Sequence, residues 1–279
     1  SSVNEIGNYS FYECLSLKEI LIPSVTKIGE HSFYGCSSLM HMSIPIKITK
    51  IENYSFSHCS LLKEIIIPSS VTKIGNYAFS ECTSLAEIII QKNVTSIGDY
   101  VFSGCSSLTK ITIPSSVKSF GSCIFEGIQS LEISGDIEHI PSNLFKNCTK
   151  LNQITIPSSI KKIGWYSFYG CSSLLKIIIQ PSVTSIGDFS FSSCTSITEI
   201  SIPSSISVIS ENSFSGCSSL IKVYIPSSVT VIQRSAFEGC SSLKQIDIPS
   251  SVTLIGNCVF SNCSSLTKIT FPSSKIEFG

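Results

Sequence analysis

A chain of 279 residues, 42% hydrophobic and only 14% charged, has ample material for a buried core. Its 19 basic residues balance 19 acidic ones, so no basic excess points to nucleic acid and no polybasic run points to an anionic membrane surface. No run of about 18 uninterrupted apolar residues occurs, so no segment is expected to insert into a membrane.

Phenylalanine recurs at 11, 33, 56, 79, 102, 125, 145, 168, 191, 214, 237 and 260, which defines twelve coils on a basic period of 23. A fixed period in this range marks a solenoid. Each coil can bury its apolar face only against the next, so residues 1–279 are expected to form one continuous solenoid domain without a linker. The chain carries no initiator Met, signal peptide or lipidation motif and starts and stops inside the repeat, as expected of a piece of a longer protein.

In chain order, the first coil closes with Phe11-x-x-Cys14 and continues into a predicted strand, Leu17-x-x-Ile20-x-Ile22, ended by Pro23. The spacing from Cys14 to Cys36 is 22, because one Ser of the turn is missing. From there the pattern is regular. Inward Ile alternates with outward residues, as in Leu108-x-x-Ile111-x-Ile113. Pro follows at 45, 68, 114, 157, 203, 226, 249 and 272, where a fixed φ and a missing donor end the strand and start a turn into Ser-Ser. In the fourth coil Gln91-Lys92-Asn93 replaces Pro-Ser-Ser. Val71, Val94, Val117 and Val183 then point inward, followed by Ile74, Ile97 and Ile186. Gly29, Gly75, Gly98, Gly164, Gly187 and Gly256 come next, where a tight bend or a positive φ is expected. The Phe-x-x-Cys segment is too short for a helix and should be irregular or 3₁₀-like. Between Ile128 and Cys148 the spacing falls to 20, with Leu131 and Ile133 supplying the strand positions, and the solenoid is expected to kink there.

Eleven of the thirteen cysteines (14, 36, 59, 82, 105, 148, 171, 194, 217, 240 and 263) share the slot three residues after Phe, and Ile128 takes that slot in the sixth coil. A slot that accepts Ile is apolar and interior, so these thiols should be buried, reduced and inert. Cys123 and Cys258 lie outside the column, two residues before a Phe.

The run Ile-Pro-Ser-Ser-Val-Thr-x-Ile-Gly-x-x-x-Phe-x-x-Cys-Ser-Ser-Leu-x-x-Ile resembles the BspA-like leucine-rich repeat, a cysteine-containing 23-residue class, over essentially the whole chain. The resemblance implies a leucine-rich-repeat solenoid: a right-handed curved stack of about twelve coils, with a parallel β-sheet on the concave face and irregular or 3₁₀ turns on the convex face. It also implies a cell-surface or secreted protein of a bacterium or parasitic protist, adhesive toward host or neighbouring cells.

Little in the chain suggests catalysis. His31, His41, His58 and His139 occupy different slots without a spaced acid or Cys partner, and no metalloprotease, nucleophile-elbow or phosphate-loop motif is present. A column of thiols in an apolar stack does not converge on a metal. No cofactor, metal site or catalytic residue is therefore expected. The abundant Ser residues are assigned to turns, bonding the nearby backbone.

Recognition fits better, through two outward columns of the strand. Five residues after Cys stand Glu19, His41, Glu64, Glu87, Lys110, Gln153, Lys176, Glu199, Lys222, Gln245 and Lys268. Seven after it stand Leu21, Ser43, Ile66, Ile89, Thr112, Thr155, Ile178, Ser201, Tyr224, Asp247 and Thr270. Together they should pave the sheet. The plain reading is a sheet surface built of β-formers. The sharper one is a face for a protein partner, such as a host or neighbouring-cell surface or matrix protein, with Glu19, Leu21, Glu64, Ile66, Glu87, Ile89, Lys110, Lys176, Ile178, Lys222 and Tyr224 as contacts. Tyr9, Tyr54, Tyr77, Tyr100, Tyr166 and Phe189, two residues before Phe, should pack edge against edge as an external ladder, with carbohydrate or protein contact as the other reading. Asn-x-Ser/Thr sequons at 8, 53, 93, 147 and 262 matter only on a eukaryotic secretory route. Open strand edges would also allow end-to-end self-association as a spacer or filament.

Overall fold

The computed structural model describes residues 3–271 and 276–279, so Pro272 lies outside the described residues. It is a parallel-strand β-solenoid of about twelve turns, with no helix among the described residues. The chain divides into two compact units, Ser1–Ile137 and Glu138–Gly279.

Within each unit most coils contribute to an outward-facing row of short strands; the exceptions are the coil carrying Lys176, reduced to one bridge, and the first coil, where the strand expected over residues 17–22 does not form. In the first unit His41–Ser43 pairs with Glu64–Ile66, and Glu87–Ile89, Lys110–Thr112 and Ser130–Ser134 pair in turn, all parallel and in register. In the second, Glu199–Ser201 pairs with Lys222–Tyr224, and Gln245–Asp247 with Lys268–Thr270. The alternation of exposed, buried, exposed along these strands follows from a side-chain period of two. A second row, built from the x-Ile pairs after the inward Val, was not foreseen. It runs through Lys50–Ile51, Lys73–Ile74, Ser96–Ile97 and Ser119–Phe120 in the first unit. In the second it runs through Val208–Ile209, Val231–Ile232, Leu254–Ile255 and Glu277–Phe278. Two residues per strand leave too little periodicity to read from sequence.

The interior holds the expected Phe, Cys, Leu and Ile columns. Phe rings of adjacent coils lie 5.1–6.0 Å apart and within 12° of parallel in each unit. None of the thirteen cysteines is in a disulfide, and ten of the eleven in the column are buried. Cys14 is the exception and is exposed, since no described coil packs against the outer side of the first one. The column also does something that apolarity alone did not suggest. Thiols of the column from Cys36 onward donate to the carbonyl of the Phe one coil back, as with Cys82 to Phe56 at 3.2 Å, Cys105 to Phe79 at 3.1 Å and Cys194 to Phe168 at 3.1 Å. Burial pushes these thiols up, Cys36 to about 11 and Cys105 and Cys217 to about 12, so they remain protonated donors.

Of the two geometries expected for Phe-x-x-Cys, the irregular one is found. Two residues per coil, at Phe−2 and Phe+2, sit in the left-handed region, as with Tyr77 (φ 56°) and Glu81 (φ 58°) around Phe79. The glycines after the inward Ile are not among them, which corrects the expectation of a positive φ. They are required by close approach instead: a Cβ on Gly98 would lie 2.7 Å from the backbone nitrogen of Asn76, and one on Gly187 2.7 Å from that of Trp165.

Some Ser hydroxyls bond the backbone of their own turn as expected, Ser10 to Gly7 at 2.9 Å, Ser55 to Glu52 at 2.6 Å and Ser167 to Gly164 at 2.9 Å, but many Ser and Thr hydroxyls bond that of the preceding coil instead. Ser70 donates to Ile48 at 2.6 Å, Ser251 to Val229 at 2.6 Å and Thr72 to Thr49 at 3.1 Å. Side chains at Phe−3 add a second stitch, with Asn53, Asn76 and Asp99 each accepting the N–H of the residue one coil on at 2.7–2.9 Å. Ser190 and Ser213, in the slot before Phe, are buried and their hydroxyls find no partner. The same slot holds Ala78 and Ala236 in other coils. Ser190→Ala and Ser213→Ala should therefore leave stability unchanged or raise it by up to about 1 kcal/mol each. Urea titration checks this, and a loss beyond about 1 kcal/mol would show that the hydroxyls are bonded after all.

Candidate partner-binding face

All eleven residues singled out on the strand columns are exposed on one face of their own unit. In the first unit Glu19, Leu21, Glu64, Ile66, Glu87, Ile89 and Lys110 share the outward side of adjacent coils. In the second, Lys176, Ile178, Lys222 and Tyr224 do the same. Leu21 is 81% exposed, Ile66 70% and Ile178 61%.

Three kinds of residue on this face were missed. The shortened sixth coil supplies Glu132 and Ser134, in register with Lys110 and Thr112. Its 20-residue spacing hid them, because counting from Ile128 lands one residue off. A third outward column, four residues after Cys, adds exposed Met40, Leu175 and Ile221. The signal for it was an apolar residue directly after the inward Leu. Third, the strand ladder is open in places. Between the coils carrying Gln153 and Lys176 it is reduced to a single bridge. An open groove of ≈ 580 Å³ lies there, lined by Ile154, Ile156, Leu175, Ile178, Lys176 and Gln180 among others. Gln180 stands where other coils have Pro and its Nε2 donates to Ile156 O at 3.3 Å. A groove of ≈ 210 Å³ in the first unit is lined by Ile66, Ile89 and Gln91. Both grooves carry an Ile-Ile-Ile-Gln segment, 88–91 and 177–180.

Charge on the face is partly paired. Lys110 Nζ lies 3.5 Å from Glu87 Oε1, and His41 Nδ1 lies 3.4 Å from Glu64 Oε1, so His41 does have an acid partner contrary to the sequence reading. Lys222 Nζ sits 4.4 Å from the centre of the Tyr224 ring, and a hydrogen bond to that phenol holds its pKa above the usual lysine range. His31 is not an isolated surface residue. It stacks between Tyr9 and Tyr54 at 4.6 and 4.5 Å and completes a ladder that continues through Tyr77 to Tyr100. The rings lie within 14° of parallel, stacked rather than edge to edge. Ring faces inside the ladder are therefore covered by neighbours, which suits packing better than stacking on a sugar.

Among the described residues no group of three or more His, Cys, Asp or Glu could hold a metal ion, and no helix is long and apolar enough to cross a membrane.

The profile of the BspA type leucine rich repeat region (6 copies) matches residues 4–132, 127–244 and 230–279. No curated protein matches the chain. Among solved structures, a leucine-rich repeat protein from Bacteroides ovatus is 32% identical, with a TM-score of 0.72, over 99% of this chain and 78% of that one. A leucine rich cell surface protein from Faecalibacterium prausnitzii is 31% identical over 98% and 71%, with a TM-score of 0.46. With its repeat matched from end to end and its solenoid shared with the Bacteroides protein, the chain belongs to the BspA-type leucine-rich repeat family.

Proposed function

We propose that the chain is a non-enzymatic recognition or adhesion module, exposed at a cell surface or secreted, that binds a protein partner through its strand face. The observation that carries this reading is the set of outward apolar side chains, Leu21, Ile66 and Ile89 in the first unit and Leu175, Ile178, Ile221 and Tyr224 in the second, all 44% exposed or more. Large apolar side chains grouped on one face and rimmed by charge are how protein-binding surfaces are built, with a few buried anchors providing most of the energy. The surface location follows the habit of the family to which the chain belongs.

The triple variant Ile66→Ala, Ile89→Ala, Tyr224→Ala tests it. These side chains face outward and are 44–70% exposed, so circular dichroism and melting temperature should stay close to the parent's. Adhesion of the labelled protein to intact cells, or its binding to their extracted surface proteins on a biosensor, should fall at least about tenfold if two of the three are anchors. Unchanged binding would sink the assignment of this face.

A further inference from the structure

We infer that the strand face pairs with a second copy of this chain, the face of one copy's first unit docking on the face of another copy's second unit. This rests on the preceding reading of the strand face as a protein-binding surface, and adds which protein it binds.

The formal charge of the chain is zero, but it is unevenly divided. Residues 1–137 hold nine lysines against twelve acidic residues, and residues 138–279 hold ten basic residues against seven acidic ones. The imbalance reaches the outward row five residues after Cys. The first unit presents Glu19, Glu64, Glu87 and Glu132 there, with His41 and Lys110. The second presents Lys176, Lys222 and Lys268, with Glu199 and two glutamines. Lys18 and Lys63 beside the first row, and Asp247 beside the second, moderate the contrast without reversing it.

Each face also carries its own apolar anchors next to these charges. Glu64-Ile65-Ile66 and Glu87-Ile88-Ile89 in one unit meet their counterparts in Lys176-Ile177-Ile178 and Lys222-Val223-Tyr224 in the other, with the first and third residue of each exposed. Face against face, the isoleucines and the tyrosine would leave water while Glu approaches Lys. Apolar burial then provides affinity, and opposite charge selects the unlike face over the like one. A contact between unlike faces is made twice in a two-fold pair or once per step in an open chain.

Sedimentation velocity on the whole chain tests this. At roughly 100 μM, where even weak specific association registers, the wild type should sediment as a dimer or larger. Raising salt from about 50 to about 500 mM cuts the screening length roughly threefold and should weaken association at least about tenfold. Two charge-swapped variants, Glu64→Lys/Glu87→Lys and Lys176→Glu/Lys222→Glu, should each be monomeric, since both of their faces then carry one sign. Mixed one to one they should associate again, because every unlike pairing between them is complementary. Circular dichroism on each variant confirms that it is folded. A monomeric wild type overturns self-pairing. It leaves the strand-face reading intact if the Ile66/Ile89/Tyr224 variant still loses cell binding. Association that survives both swaps, or a mixture of folded variants that stays monomeric, also overturns it.

Discussion

Phe191→Ala should lower the stability of the second unit by about 3–5 kcal/mol, the range for truncating a fully buried aromatic side chain. Phe191 is 0% exposed and its ring lies 5.2 Å from that of Phe168 and 5.5 Å from that of Phe214. Truncation therefore removes two ring contacts at once and opens a cavity in a stack whose coils touch only their neighbours. The backbone around it cannot slide in to fill the space, because the Phe191 N–H is held by Ser213 O at 2.9 Å and its carbonyl accepts the Cys217 thiol at 3.2 Å. Phe189, two residues earlier, provides the control. It stacks on Tyr166 at 4.8 Å but outside the core, with a φ of 55°. Phe189→Ala should cost about 1 kcal/mol, the size of one half-buried ring pair. Urea unfolding of the two variants beside the parent measures both. Equal losses would mean that the Phe column is no more an interior than the ladder outside it.

The difference between those two phenylalanines shows what a periodic sequence can and cannot convey. Phe191 recurs at one phase of every coil beside Cys, Leu and Ile, and twelve copies of one apolar phase leave no other place for it than inside. The outward strand columns were equally plain, because once the inward phase is fixed the alternate residues must face out. What failed was whatever depends on the distance between coils. Gly98 was taken for a bend, since a glycine in sequence announces freedom of φ and says nothing about how near another backbone passes. His31 looked solitary because its partners Tyr9 and Tyr54 are 22 and 23 residues away. The hydroxyls of Ser70 and Ser251 looked local for the same reason. Glu132 vanished from the outward columns because one of the three missing residues falls before it and shifts the count by one, although strand pairing restores its register.

That distinction gives the last expected result. Gly187→Ala should destabilise the second unit by about 1–3 kcal/mol or more, the cost of forcing an atom into a space already filled. The new Cβ would stand 2.7 Å from Trp165 N and 2.8 Å from Gly164 C, both main-chain atoms of the coil before. Those atoms are fixed, because Gly187 N–H donates to Ile163 O at 2.9 Å and ties the two coils together at that point. Gly216, by contrast, has a φ of 72° and nothing closer than 3.4 Å to a built Cβ. Its slot already tolerates side chains in other coils, as Ser193 (φ 60°) and Asn262 (φ 58°) show. Gly216→Ala should therefore cost only the left-handed backbone penalty of about 1 kcal/mol. If the glycines after Ile served as bends, the order would be reversed. Melting temperatures of the two single variants decide the matter, since the close-approach account requires Gly187→Ala to be the worse of the two.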